Sequence, residues 1–228
     1  MNLLALETST RLLSVALWRD GEITGRSEVL PNGGSDRLLP WVHQLLAEAG
    51  LKLGQLDGIA FGAGPGGFTG LRLSCGVAQG LAWGADLPVL AVGSLEALAL
   101  EAAAPRIYAC LDARMNEVYS AAYELVDGVP QAVLPPSVTP PDAAPLPPVG
   151  DWLGAGDGFS SYAEALTQRL GLATVRADLL PTAAAVARLA APRLARGEGV
   201  AAVAAQPLYV RDKVALTTAE RLARGGVR

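Results

Sequence analysis

The sequence predicts an α/β protein in which one mixed-sheet unit occurs twice. Two observations carry this reading. A strand of Leu3 to Leu6, a polar turn Glu7-Thr8-Ser9-Thr10-Arg11 and a strand of Leu12 to Trp18 close on Asp20-Gly21, which reads as a hairpin with a carboxylate at the end of its first strand. About a hundred residues on, Ile107 to Leu111, the turn Asp112-Ala113-Arg114-Met115-Asn116 and Val118 to Leu125 close on Asp127-Gly128. From the acid to Asp-Gly the spacing is 13 residues in the first copy and 15 in the second, as an old duplication of a β-meander would leave it.

Between the copies, strands and helices alternate. Ser35 to Gly50 reads as a helix with Ser35 or Asp36 as its cap, Gly50 as its stop and Pro40 within its first turn. Asp57 to Phe61 reads as a buried strand, the glycine-rich stretch Gly62 to Gly70 as a loop, and Leu71 to Trp83 as a second helix. Leu87 to Val92 is a further strand, and Ser94 caps a helix to about Ala104.

Beyond the second hairpin, Pro135 to Pro148 holds 7 of the 16 prolines. That density bars helix or central strand and predicts an extended connector. A strand at Val149 to Leu153, a loop at Gly154 to Gly158 and helices at Ser161 to Leu170 and Thr182 to Ala195 follow. The basic end with Arg221, Arg224 and Arg228 reads as a solvated tail. The expected division is a first lobe over residues 1–104, a second over 105–204, and a segment 205–228 packing back on the first.

Composition narrows the function. The 228 residues are 51% hydrophobic and 18% charged, enough to bury a core and too apolar for disorder. A net charge of -4 lacks the positive field that binds a polyanion directly, so any nucleic acid is expected to be handled by a partner. Cys75 and Cys110 stand in no metal-ligand spacing, which suits a reducing cytoplasm. Met1 to Glu7 has no basic leader and no apolar run reaches the ~20 residues of a membrane span, so neither export nor a membrane is expected. His43 is the single histidine, too few for a zinc hydrolase and without a neighbouring nucleophile for a peptidase.

Gly62, Gly64 and Gly67 spell G-x-G-x-x-G between a strand and a helix. A dinucleotide site would also need an acid ending the next strand, but Asp86 precedes that strand, and no lysine follows to make a Walker loop. Close packing or a protein contact is the favoured reading, with anion binding at the helix start as the alternative. Glu7, Thr8, Ser9 and Thr10 stand where the actin and sugar-kinase superfamily places its first phosphate loop, without that loop's glycine. With Gly64, Gly66 and Gly67 they form a candidate phosphate-loop remnant, in which Glu7 is expected to orient the hairpin by accepting hydrogen bonds.

The two helices carry more apolar surface than one core needs. Leu38, Trp41, Val42, Leu45, Leu46 and Ala49 lie on the first. Leu71, Leu73, Val77, Leu81 and Trp83 lie on the second, beside Gly76, Ala78 and Gly80. This marks a partner interface or full burial within the lobe, and the residues alone do not separate the two.

Five segments resemble the TsaB (YeaZ) family: Leu4 to Thr10, Gly64 to Arg72, Ala78 to Ala82, Asp112 to Tyr119 and Pro207 to Arg211. Together with their surroundings they cover about half the chain, and the glycine-rich and Asp112 to Tyr119 blocks are the specific ones. The resemblance implies the duplicated actin/sugar-kinase (ribonuclease H-like) fold. It also implies a non-catalytic subunit that activates a TsaD-type transferase for threonylcarbamoylation of the adenosine next to the tRNA anticodon. A TsaE-type ATPase would join the complex, tRNA would be engaged indirectly, and the chain alone would form a homodimer. The interface implied is the helix pair, with Arg72 as a polar contact. No metal or resident cofactor is implied, and a nucleotide at the subunit interface is left open. The chain departs from the family at Glu7, usually Asp, and at Gly67, usually Ser. The alternative from another class is an active ATP-dependent phosphotransferase or ATPase of the superfamily, with Glu7 as metal-bridging acid.

Overall fold

Two five-stranded sheets of one topology make up the computed structural model, which describes residues 1–30 and 34–211. In the first sheet β1 (Asn2–Glu7), β2 (Leu12–Arg19) and β3 (Glu22–Val29) form an antiparallel meander. Strands β4 (Gly58–Gly64) and β5 (Val89–Gly93) add parallel to β1, in the order β3-β2-β1-β4-β5. The second sheet repeats this with β6 (Arg106–Arg114), β7 (Glu117–Val126), β8 (Val129–Thr139), β9 (Leu153–Ala155) and β10 (Thr174–Arg176), in the order β8-β7-β6-β9-β10. The duplication read from the two hairpins is therefore a duplication of the whole sheet.

Both meanders turn on the same dipeptide. Asp20 and Gly21 have φ of 50° and 99°, and Asp127 and Gly128 have 52° and 77°. A two-residue hairpin turn that follows the right-handed strand twist needs positive φ at both central positions, which Asp-Gly accepts at little cost.

Alternation along β1 divides the first core. Leu4 and Leu6 face α1 (Ser35–Glu48) and α2 (Phe68–Ala85), packing with Val15, Leu17, Phe61, Leu38, Val42, Leu45 and Ala78. Leu3 and Ala5 face the opposite way, against Ala183, Ala187, Ala190 and Ala191 of α6 (Ala183–Ala195). The alanine-rich face of α6 lets that helix approach the sheet closely. In the second sheet Ile107, Ala109 and Leu111 pack on Leu95, Leu98 and Ala99 of α3 (Ser94–Ala102). Tyr108 and Cys110 pack with Trp152, Phe159 and Leu166, the last two from the single-turn α4 (Gly158–Ser161) and from α5 (Ala163–Leu170).

The helices cross over between the sheets. α3 follows the first sheet in sequence and buries Leu95 and Leu98 against the second, each contributing about 2 kcal/mol of apolar transfer. α6 follows the second sheet and packs on β1, β2, β4 and β5 of the first, although sequence order groups it with residues 105–204.

Local expectations are corrected at several points. Gly34, in the left-handed region at φ 109°, precedes α1, and no side chain caps it. Pro40 lies inside α1 beyond the first turn, where it leaves the Asp36 carbonyl without its usual i+4 donor. Ser94 does not cap α3, and its hydroxyl turns instead to Glu7. Pro135 and Pro136 sit within β8, an outer strand, where a missing N–H can face away from the ladder. The short, exposed β10 and the polar β3 carry too little apolar alternation to announce themselves. Arg221, Arg224 and Arg228 lie outside the described residues. No described helix is long and apolar enough to cross a membrane.

Candidate functional site

Glu7 ends β1 with no exposed surface. Its Oε1 accepts the Ser9 N–H at 2.6 Å and its Oε2 accepts the Ser94 hydroxyl at 3.0 Å. The Ser94 oxygen in turn accepts the Gly64 N–H at 3.2 Å, so the carboxyl ties β1, the start of α3 and the end of β4 together. Gly62 lies over it so closely that a Cβ there would fall 1.9 Å from Oε2. Burial pushes the carboxyl pKa above its ordinary value, against the lowering effect of the Ser9 and Ser94 hydrogen bonds. Ser94 has no local sequence signal for this role, because it stands 87 residues from Glu7.

The glycine loop closes on the hairpin in the same way. The Gly67 N–H donates to Ser9 O at 2.7 Å, and the Thr8 hydroxyl donates to Gly70 O at 2.6 Å. A Cβ on Gly66 would meet Ser9 O at 2.5 Å, and one on Gly70 would meet Thr8 O at 1.8 Å. Gly64 has φ +112°. These glycines permit backbone-to-backbone contact between loop and hairpin. At Gly67 a Cβ would sit 3.5 Å from Ser9 O, an ordinary contact that a serine could also make.

A cleft of about 540 Å³ opens beside this seal, lined by Thr8 to Arg11, Pro65 to Leu71, Leu111 to Arg114, Asp157 and residues 208–211. Thr8, Ser9, Thr10, Gly66 and Gly67 line it, whereas Glu7 lies behind the hairpin and Gly64 behind the loop. Asp112 and Asp157 face the cleft from the second sheet. The Asp112 carboxylate accepts the Arg114 N–H at 2.7 Å and the Tyr162 hydroxyl at 3.3 Å. Asp157 Oδ1 accepts the Asp112 N–H at 3.2 Å, and burial raises the Asp157 pKa. Among the described residues no three His, Cys, Asp or Glu side chains converge as a metal-ligand group.

The helix face divides in two. Leu38, Val42, Leu45, Leu46 and Ala78 are buried in the chain's own core, so they cannot meet a partner, and this corrects the expectation that they form an interface. Trp41, Ala49, Val77 and Leu81 are partly buried, and Arg72, Gly76 and Gly80 are exposed. Leu39 is 48% exposed and Trp83 74% exposed on the same pair of helices. Gly76, Gly80 and Gly84 follow at intervals of four, each with open space where a Cβ would stand. Arg72 is already engaged, with its guanidinium 3.7 Å over the Phe68 ring and its Nε donating to the Tyr209 hydroxyl at 3.4 Å.

Residues 32–218 match the family described as TsaD: tRNA N6-adenosine threonylcarbamoyltransferase. The tRNA threonylcarbamoyladenosine biosynthesis protein TsaB of Escherichia coli K12 is 37% identical over 94% of this chain and 96% of its own. The protein of the same name from Haemophilus influenzae is 50% identical over 52% of each chain. Among solved structures, YeaZ from Pseudomonas aeruginosa superposes with a TM-score of 0.86 at 46% identity, covering 91% of this chain and 99% of that one. A second Pseudomonas aeruginosa structure, described as an uncharacterized protein with similarity to peptidase YEAZ, gives 0.86 at 45% identity, covering 92% and 99%. Sequence likeness along nearly the full length and the shared pair of sheets agree, and the chain belongs to the TsaB (YeaZ) family of tRNA threonylcarbamoyladenosine biosynthesis proteins.

Proposed function

We propose that this chain is a non-catalytic subunit that binds a TsaD-type transferase in the cytoplasm and activates it for threonylcarbamoylation of the adenosine next to the tRNA anticodon. The observation that carries the reading is the seal around Glu7. An acid serving a metal-nucleotide must reach the cleft, but this carboxyl is fully buried, hydrogen-bonded to Ser9 and Ser94 and covered by Gly62. The loop that would cradle phosphate with its N–H groups lies against Thr8 and Ser9 instead, with the Gly67 N–H already donated to Ser9 O.

The exposed side of α1 and α2 supports the partner half of the proposal. On α2 Trp83 presents apolar surface along with the open glycines Gly76 and Gly80, where a partner helix could approach closely, and on α1 Leu39 is exposed. Alone, the chain would pair with a second copy through the same face, so homodimer and heterodimer would exclude each other. A TsaE-type ATPase completes the assembly, and tRNA is engaged through the partners. As working units we propose a lobe over residues 1–104 reinforced by α6, a second lobe from the rest of 105–204, and a segment over 205–211 that starts on the first lobe at Gln79 and ends on the second at Ala113 and Glu117.

The test is threonylcarbamoyl transfer to tRNA by purified TsaD-type transferase, TsaE-type ATPase and activated donor, with and without this chain. Transfer should require the chain, proceed fully with Glu7→Gln, and fail with Gly80→Arg, whose side chain projects from an open position and leaves the core intact. Transfer that proceeds without the chain would sink the proposal. So would a Glu7→Gln chain that binds the transferase yet supports no transfer, which would favour the ATP-dependent phosphotransferase reading.

A further inference from the structure

Residues 205–211 form neither helix nor strand, yet they are tied to both sheets. On the first-sheet side, Ala205 O accepts from Gln79 Nε2 at 2.9 Å, and the Leu208 N–H donates to Ala63 O at 2.7 Å. The Tyr209 ring lies 6.0 Å from that of Phe68, and its hydroxyl accepts from Arg72. Val210 then packs into the second-sheet core with Leu111, Ala113 and Tyr119. Arg211 completes the crossing by donating to Ala113 O at 3.1 Å and to the Glu117 carboxylate. Its guanidinium also lies 5.8 Å from the Tyr119 ring, and its side chain is only 13% exposed.

The hairpin tip that receives Arg211 is itself unusual. Arg114, Met115 and Asn116 all have positive φ, at 60°, 55° and 59°. Side chains oppose that conformation, and three such residues in a row persist where outside contacts hold them. Arg211 supplies two of those contacts, to the Ala113 carbonyl and, at 3.4 Å, to the Met115 sulfur. Away from the cleft lining, α3 packs on β4 and β5 of the first sheet and on β6, β7, β8 and β9 of the second, and α6 packs on α3 and the first sheet. Beside the cleft, in addition to this segment, Leu12 of β2 packs on the second-sheet core, and Arg11 faces Asp157 at 3.9 Å, a long contact between partly exposed groups.

We infer that residues 205–211 are a strap that sets how far the cleft between the two sheets opens, with Arg211 as its anchor on the second sheet. The two walls it holds at a fixed separation are Pro65 to Leu71 and Leu111 to Arg114.

The experiment is a distance measurement between spin labels on the full chain, at Arg188→Cys on α6 and Glu164→Cys on α5. Both positions are exposed, and the native Cys75 and Cys110 are buried and will not compete for label. Labelled chain is diluted with unlabelled chain so that only intramolecular distances are read. Arg211→Ala should lengthen and broaden the distribution, Arg211→Glu should do so further, and Arg211→Glu with Glu117→Arg should move it back toward that of the unsubstituted chain. Glu117→Gln weakens the same anchor without changing its shape and carries the same expectation if an Arg211 variant fails to fold. A distribution unmoved by Arg211→Glu, or by Glu117→Gln where that variant does not fold, would overturn the inference.

Discussion

Each sheet ends its first strand near a carboxylate, and the two carboxylates have opposite surroundings. Glu7 is sealed, with no exposed surface, under a loop whose glycines touch the hairpin backbone. Asp112 stays at the cleft wall, accepting hydrogen bonds from Arg114, Ser161 and Tyr162. Both sheets bring a glycine at the end of the neighbouring parallel strand onto the first strand. A Cβ on Gly156 would meet Cys110 O at 2.2 Å, much as one on Gly62 would meet Glu7. The difference is where that contact falls. In the first sheet it covers the acid, whereas in the second it falls on Cys110 and leaves Asp112 uncovered. The duplicated frame sets the position of each acid, and the backbone packed against it sets what the acid can do.

Removing the glycine contact in either sheet should have the greatest consequence. Gly62→Ala forces a methyl into the Glu7 carboxyl, and Gly156→Ala forces one into the Cys110 carbonyl at φ +114°. Each should cost roughly 3 kcal/mol or prevent folding, read as a shift in the urea midpoint. If either is tolerated within 1 kcal/mol, on the order of an ordinary surface change, that contact is not what positions its acid.

The acids themselves should separate next. Glu7→Ala leaves a buried Ser9 N–H without an acceptor and should cost about 2–3 kcal/mol, while Asp112→Ala, at a wetter site, should cost about 1 kcal/mol. Equal losses in denaturant melts would erase the distinction between sealed and open.

The sealed carboxyl should also show in the pH dependence of stability. Because burial raises the Glu7 pKa, the folded chain keeps a proton that the unfolded chain releases in the window from the ordinary carboxylate value up to the raised one. That contribution to stability is full below the window, falls as pH rises through it, and levels off above. Glu96 and Asp157 are raised by burial as well and add slopes of the same sign, so the measurement is the difference between the native chain and Glu7→Gln. The variant should be the flatter of the two, and parallel curves would mean that Glu7 is not desolvated.

The smallest expected effect tests the helix face. Gly76→Ala and Gly80→Ala place methyls in open space on an exposed helix and should each stabilise the isolated chain by about 0.5–1 kcal/mol. Both should weaken association with a second copy or with a transferase partner, measured by light scattering, since a Cβ would hold a close-packed helix away. Association that strengthens with stability would place the interface elsewhere.

Sequence alone determined what neighbouring residues decide among themselves. The two Asp-Gly turns, the alternation of β1 and β6, and the extents of α1 and α6 are legible because turn chemistry and apolar period act within a few residues, whereas α2, read as Leu71 to Trp83, runs over Phe68–Ala85. The glycine loop was legible as a place of close approach, though not what it approaches. That Leu45 and Ala78 belong to the core while Gly80 and Trp83 face outward emerges with the packed chain, since an apolar surplus on a helix looks the same in either case. Long-range packing alone sent α3 to the second sheet and α6 to the first, and joined Ser94 to Glu7 across 87 residues. Burial and hydrogen-bond partnership depend on groups far apart along the chain, and no window of sequence contains both members of such a pair.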